Sequence, residues 1–365
     1  MKIIRSTKCS TKFATAKKRT ELVALLNEYG KVVNLFIDYF WGKGKELDNS
    51  KLLKPIVDKF KGKTWLSARL RKVAAREAIA MVSATIERWK DSPKNMGKPV
   101  HNRKTMNCSS TIAELNDVIG GHFDSFLKIR SVGEKLKLDI PIQKHKHFNK
   151  WSAKGRRLNA YIITPDYVQF SFEVITEPKK EAGNTIGIDT GIKSLATTSD
   201  GQRIGDKIES IISDINKCEH GSKRQKRLRN YLKHYIDESV KNVFSQNPYV
   251  CRIVVERLSN MNFKSKVKRK YNRGFRKVIG NWNYRYWLTR LEMACEENCV
   301  RYTSVNPANT SITCVRCGHS DKANRPKQDV FKCVKCHHED HADVNAAKNI
   351  LGRGVSLVYR RGLKL

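Results

Sequence analysis

Four cysteines and three acids hold the reactive chemistry of this chain. Cys314, Cys317, Cys333 and Cys336 stand as C-x2-C-x15-C-x2-C. Thiolates at that spacing close a tetrahedron around Zn²⁺ while the residues between them form a β-ribbon. Four sulfurs leave no coordination position for a substrate, so this zinc is structural and any catalysis belongs elsewhere. A redox role for C-x-x-C would need only one of the pairs. The other cysteines, Cys9, Cys108, Cys218, Cys251, Cys295 and Cys299, are scattered, which fits inert thiols in a reducing compartment better than a disulfide framework. Cys295 and Cys299, four residues apart, could share a helix face.

Asp189 ends the short apolar stretch TIGID, where a strand's last side chain projects from a sheet rim. The string G-I-D-x-G also occurs where actin-like ATPases hold phosphate, but those folds need further glycine-rich segments downstream, and none follows. Glu256 ends CRIVVE, whose Ile253, Val254 and Val255 suit a strand buried on both faces. An acid closing so apolar a run is costly without a cation, which an arginine or a metal could supply. Asp343 opens ADVNAAKNIL, where Ala346, Ala347 and Ile350 can lay a helix on a sheet. As a plain N-cap it would require nothing of Asn345 or Lys348. As a set, two strand-end acids and one helix-start acid are oxygen ligands for two Mg²⁺ ions, Asp189 bridging and Glu256 and Asp343 holding one each. Such a pair, about 4 Å apart, activates a water and stabilises the leaving 3′ oxygen in phosphodiester cleavage.

The elements that would position these groups show in the periodicity. Leu22, Leu26, Tyr29, Val33, Phe36 and Phe40 recur at helical spacing, as do Leu66, Leu70, Val73, Met81, Thr85 and Trp89, the second set with Arg and Lys on the opposite face. That basic face is either solvated or a nucleic-acid surface. DSPKNMGKPVHNRKTMN then reads as a linker. Beyond it the period becomes two, at Leu136, Leu138 and Ile140 and again at Val168, Phe170, Phe172 and Val174. With the alternating N-terminal MKIIRSTKCS, these strands suggest a small β-barrel-like unit into which the helices are inserted. From Gly183 the character is α/β, with residues 206–245 helical.

Charge narrows the partners. Lys and Arg number 72 against 35 Asp and Glu, a formal +37, and such a surplus repels itself unless a polyanion compensates it. Nucleic acid is the expected partner; no apolar run approaches the roughly 18 residues of a spanning helix. Eight of the fourteen residues from 264 to 277 are basic, none is acidic, and Tyr271 and Phe275 lie among them. A solvated loop would look like this, and so would a surface for splayed nucleotides, with Lys266, Lys268, Arg269, Lys270, Arg273 and Arg276 as contacts. The chain is expected in the cytoplasm or nucleoid of a prokaryote.

GIDTGIKSLATTSDG, IVVERLSNM, VNPANTSITCVRCG and HADVNAAKNI resemble the three RuvC segments and the zinc ribbon of the transposon-encoded TnpB proteins, relatives of the compact type V CRISPR nucleases. The match spans residues 183–351 in the family's order. The resemblance implies a multidomain α+β protein. A wedge β-barrel would occupy residues 1–15 and 112–182, with a helical recognition insert at 16–111. An RNase H-like (RuvC) nuclease domain would occupy 183–307 and 341–365, with the zinc ribbon at 308–340. It makes Asp189, Glu256 and Asp343 the catalytic triad, with two catalytic Mg²⁺ and one structural Zn²⁺. The implied activity is cleavage of double-stranded DNA beside a short flanking motif, guided by an RNA from the transposon end. An unguided structure-selective DNase and a guided repressor that does not cut are the other classes. The second knuckle departs from the family's usual Cys-Gly by reading Cys336-His337-His338. His337, His338 and His341 could compete for metal, though surface histidines also account for them.

Overall fold

The computed structural model describes residues 1–42, 54–90, 96–102, 104–130, 136–258 and 273–362. They form two units, residues 2–175 and residues 176–365 together with Met1.

In the first unit, strict alternation in KIIRSTKCS makes β1 (Lys2–Ser10), which buries Ile3, Arg5, Thr7 and Cys9 on one side. Thr15 then caps α1 (Ala16–Phe40), accepting from the Lys18 N–H. The helix buries Leu22, Leu26, Tyr29, Val33, Phe36 and Phe40, the face read from its spacing. After the single turn α2 (Lys54–Asp58), α3 (Ala68–Trp89) packs along α1. Its contact face differs from expectation. Leu70, Ala74, Ala75, Ala78, Ile79 and Val82 are buried, whereas Val73, Met81, Thr85 and Trp89 are only partly covered. Three alanines let the two helices approach closely, so the larger apolar residues flank the seam. One arginine of the basic face turns inward: Arg71 donates to the carbonyls of Val57 and Leu66 and pairs with Asp58 at 2.7 Å.

The strand β2 (Met106–Ser109) follows, a few residues ahead of the boundary expected at 112. Then come β3 (Ala113–Asp117), β4 (Ser125–Arg130), β5 (Lys137–Ile142), α4 (Lys146–Lys154), β6 (Gly155–Ile163) and β7 (Tyr167–Ile175). Two antiparallel sheets result, ordered β1-β7-β6-β2 and β3-β4-β5. They share one hydrophobic core with α1 and α3.

The second unit is built on β8 (Asn184–Asp189), β9 (Ala196–Thr198), β10 (Arg203–Ile204), β11 (Val250–Glu256) and β12 (Arg301–Val305). The sheet order is β10-β9-β8-β11-β12, with β8, β11 and β12 mutually parallel and β9 and β10 antiparallel. The region read as helical holds two helices, α5 (Ile208–Lys217) and α6 (Lys223–Gln246), separated at Gly221, whose φ is +82°. Next come α7 (Arg273–Asn281) and α8 (Tyr284–Glu297). β13 (Val330–Lys332) and β14 (Glu339–His341) form the ribbon hairpin, and α9 (Ala342–Gly362) closes the chain.

β11 is buried on both faces, as its unbroken Ile253-Val254-Val255 requires. Ile253 and Val255 join the core under α5, α6 and α8, while Val254 meets Val305 and Ile350 of α9. α9 lies against bare backbone: a Cβ on Gly187 would sit 2.2 Å from the Ala347 carbonyl oxygen and 2.7 Å from the Leu351 nitrogen, and one on Gly354 would meet Val254 at 2.5 Å. Since backbone cannot step aside as a side chain does, Gly187→Ala is expected to cost about 3 kcal/mol, read as a lowered urea midpoint.

Candidate functional site

Asp189 and Glu256 are the last residues of two adjacent parallel strands. Ile188 is paired with Val255, so the acids that follow stand side by side at the carboxyl edge of the sheet. β8 has β9 on one flank and β11 on the other, a point of diverging chain connections where open α/β sheets bind ligands. Asp343 arrives from above. Gly187 meets Ala347 and Leu351 of α9 at backbone contact, so that helix packs on β8, and the charge of Asp343 in its first turn acts on Asp189. Asp343 sits within this first turn and does not act as its N-cap; its N–H donates to Nδ1 of His341 at 3.3 Å.

The electrostatics are those of buried, crowded acids only partly offset by arginines. Burial, then the negative charges of Glu256 and Asp343, push the Asp189 carboxyl up to about 8, against the opposing pull of Arg325 and the Thr190 N–H. Burial also raises Glu256, though the Thr310 hydroxyl donates to its Oε1 and Arg353 adds positive charge. Asp343 has a cation: Nη2 of Arg325 lies 2.9 Å from its Oδ1. Arg325 is itself fixed by bonds from Nε (3.0 Å) and Nη2 (2.5 Å) to the Gln328 carbonyl. Three oxygen-bearing side chains drawn to one sheet edge suit hard divalent cations. Ligating atoms of Asp329 and His341 also come within 4.8 Å of Asp343, but Lys193 holds both oxygens of Asp329, at 2.9 and 3.0 Å.

The four ribbon thiols lie within 4.8 Å of one another. The sulfurs of Cys314 and Cys336, and of Cys317 and Cys333, are 3.6 Å apart. That is near the roughly 3.8 Å edge of a tetrahedron with Zn–S bonds of about 2.3 Å. Although burial raises the Cys333 thiol, the N–H groups of Cys336 and Lys335 and the neighbouring sulfurs bring it down to about 6, favouring the thiolate a metal needs. The residues therefore fit zinc.

Both knuckles use the same turn. Gly318 N–H returns to the Cys314 carbonyl at 2.9 Å, and His337 N–H to that of Cys333 at 3.0 Å. Gly318 has φ +74° and His337 φ +56°, so the departure from Cys-Gly leaves the turn intact but puts a side chain in left-handed backbone. His337→Gly is expected to stabilise the ribbon by about 1 kcal/mol, seen as slower zinc release to a chelator.

The ribbon is bolted to α9 by residues for which sequence reasoning required no role. Asn345, fully buried, donates to the Thr313 carbonyl at 2.8 Å and accepts from the Val315 N–H at 3.1 Å. Asn349, one turn on, donates to the carbonyls of Thr310 (3.0 Å) and Thr313 (2.6 Å). Lys348 pairs with Asp340 at 2.7 Å. Two asparagines four residues apart on a face of alanines were the available signal. Arg325, from the same ribbon, had none.

Of the proposed nucleic-acid contacts, Lys266, Lys268, Arg269 and Lys270 lie outside the described residues. Arg273 and Arg276 fall in α7, where only their backbone is described. Cys295 is buried and pushed up to about 12 by that burial, then by nearby acids against Lys179, while Cys299 lies beyond the end of α8 in left-handed backbone, so the two do not share a helix face. The six scattered cysteines are free thiols.

Comparison with known proteins matches residues 284–350 to the family described as Cas12f1-like, TNB domain. InsQ of Escherichia coli (strain K12), whose name proposes an RNA-guided DNA endonuclease, is 27% identical over 216 residues, 51% of this chain and 53% of InsQ. The CRISPR-associated endodeoxyribonuclease Cas12f1 of Sulfoacidibacillus thermotolerans is 32% identical over 88 residues, 24% of this chain and 21% of its own. The CRISPR-associated DNA-binding protein Cas12m of Thermanaerosceptrum fracticalcis is 43% identical over 61 residues, 17% of this chain and 10% of its own. The chain thus spans about half the length of InsQ, and far less of the other two. Among solved structures, a Cas12f1–sgRNA–target DNA complex superposes with a TM-score of 0.57 at 15% identity, covering 92% of this chain and 83% of that one. The mini-RNA-guided endonuclease CRISPR-Cas_phi3 gives 0.55 at 10% identity, covering 97% and 92%. At those identities the likeness is one of fold.

Proposed function

The chain is a relative of the TnpB proteins and the compact type V effectors, and from that premise we propose that it is the RNA-guided DNA endonuclease of a transposon. Its guide is an RNA from the transposon end, its substrate double-stranded DNA beside a short flanking motif, and its place of work the prokaryotic cytoplasm or nucleoid. Among the described residues no helix is long and apolar enough to cross a membrane. The single observation that supports cleavage is the meeting of Asp189, Glu256 and Asp343 at one sheet edge, with Asp189 raised to about 8 by burial and its two neighbours. The reading assigns residues 183–307 and 341–365 to an RNase H-like nuclease domain, 308–340 to a zinc ribbon, and the first unit to wedge and recognition roles.

Asp189, Glu256 and Asp343 would hold two Mg²⁺ ions, which when bound would supply an activated water and charge neutralisation at the leaving 3′ oxygen. The chain's own groups set the geometry. Thr310 fixes the Glu256 carboxylate in one orientation, and Arg325 does the same for Asp343 while presenting further N–H donors to phosphate oxygens. Cys314, Cys317, Cys333 and Cys336 would hold zinc, and the ribbon so closed, together with Asn345 and Asn349, would secure the start of α9 and hence Asp343.

A guided binder without cleavage is the second reading, because one relative, Cas12m, is named for DNA binding. Retention of all three acids favours cutting. The test begins with the RNA that co-purifies with the chain when it is expressed with its native flanking DNA. One structured species whose end matches sequence outside the element, and Mg²⁺-dependent cutting of a plasmid carrying that match, are expected. Loss of cutting with retained target binding in Asp189→Ala completes the prediction. A smear of host RNA would favour the unguided nuclease, and cutting that persists in Asp189→Ala would sink the site.

A further inference from the structure

A groove of about 630 Å³ lies beside Glu256, walled by the end of β12, the start of the ribbon and the outer face of α9. Among the described residues its lining includes three cations, Arg257, Lys348 and Arg353, with Val305 and Val315, and no acid. None of the three acids lines it, but it adjoins Glu256 through neighbouring residues. Val305 is the ladder partner of Glu256, and Arg257 is the first residue past the end of β11. Arg353 acts electrostatically on the Glu256 carboxylate. Asn349, also in the lining, holds the carbonyl of Thr310, whose hydroxyl donates to Glu256. A chain of phosphates with one member at the acids would therefore pass into this groove.

The lining is built for such a ligand. Arg353 spends one of its five N–H donors on the Asn306 carbonyl, at 2.7 Å, which fixes the plane of its guanidinium. Lys348 is tethered to Asp340 at 2.7 Å, while Arg257 stands exposed. One held arginine and one exposed, with no carboxylate among the described lining residues, complement phosphodiesters, and the two valines suit sugar and base. An apolar peptide would strand the cations, and an acidic one would gain little from the valines.

We propose that this groove seats the nucleotides flanking the scissile phosphate in the DNA strand being cut, with Arg257 and Arg353 as backbone contacts. The assignment rests on the nuclease reading of the triad. It is tested without guide or cleavage: the full chain carrying Asp189→Asn is irradiated with a short single-stranded oligodeoxynucleotide containing 4-thiothymidine, at a salt concentration that suppresses contacts to exposed lysines. Crosslinked peptides containing residues 304–306, 313–315 or 348–356 are expected, with yield falling about tenfold in Arg257→Glu and partially in Arg257→Gln. Crosslinks confined to other segments, or unchanged in both variants, overturn the proposal, as does preference of the groove for the matching oligoribonucleotide. In the guided complex, Arg257→Gln is expected to lower kcat/KM about tenfold with target binding held within about twofold. Groove crosslinks in a chain that shows no guided cutting would support the groove and count against the guided reading alone.

Discussion

Asp189→Asn is expected to reduce DNA cleavage at least about a thousandfold, some 4 kcal/mol of transition-state stabilisation, while making the metal-free protein more stable at neutral pH. The two effects have one cause. Asp189 lies among acids, and burial followed by the charges of Glu256 and Asp343 raises its carboxyl to about 8. Folding without metal thus works against ionisation of a group that, on the proposed function, must be ionised to hold a cation. Asparagine keeps the shape, removes the charge, and forfeits the ligand.

The sign of the pH dependence follows. A carboxyl whose folded pKa exceeds its unfolded value near 4 binds its proton more tightly in the native state. Its contribution to stability is fully present below pH 4 and is lost as pH rises towards 8. The asparagine variant escapes that loss, so its advantage should open between pH 4 and 8 and then level off. Mg²⁺ should reverse the order by stabilising the wild type through binding the native state, with little effect on the variant. Thermal melts of both proteins across pH, with and without Mg²⁺, read all of this. A variant no more stable than wild type at pH 7 would contradict the crowded-acid account, whatever its activity.

The acids and thiols could be read from the sequence because each ends or opens an element whose pattern is local: TIGID and CRIVVE carry strand and acid together, and two C-x-x-C pairs carry a ligand set. The contact face of α3 could not. Ala74, Ala75 and Ala78 make the seam by being small, and periodicity weighted towards large apolar residues points to its edges. Arg325 shows a harder limit. It reaches Asp343 only because the ribbon folds back over the strand ends, a contact between segments with no repeating spacing. The groove beside Glu256 is similarly assembled from β11, β12, the ribbon and α9, each ordinary alone.

Loss of zinc is expected to abolish cleavage while leaving the triad residues chemically intact. The ribbon's buried apolar cluster is limited to Cys314, Phe331, Cys333 and Ala342, two of them thiols, too small a core to fold without its metal. Structural zinc contributes on the order of 10 kcal/mol to such modules. When the ribbon unfolds, Asn345 and Asn349 lose the carbonyls of Thr310 and Thr313, and Asp343 loses Arg325. Glu256 loses Thr310 along the same route. Cys333→Ser, or a strong chelator in excess Mg²⁺, should therefore lower cleavage about a hundredfold or more. Zn²⁺ or Co²⁺ should restore the chelated protein, the cobalt form showing a tetrathiolate spectrum, whereas added Mg²⁺ should not. If chelation releases one zinc per chain and cleavage survives, the ribbon does not position Asp343, and the acid must be held by its packing against Gly187 alone.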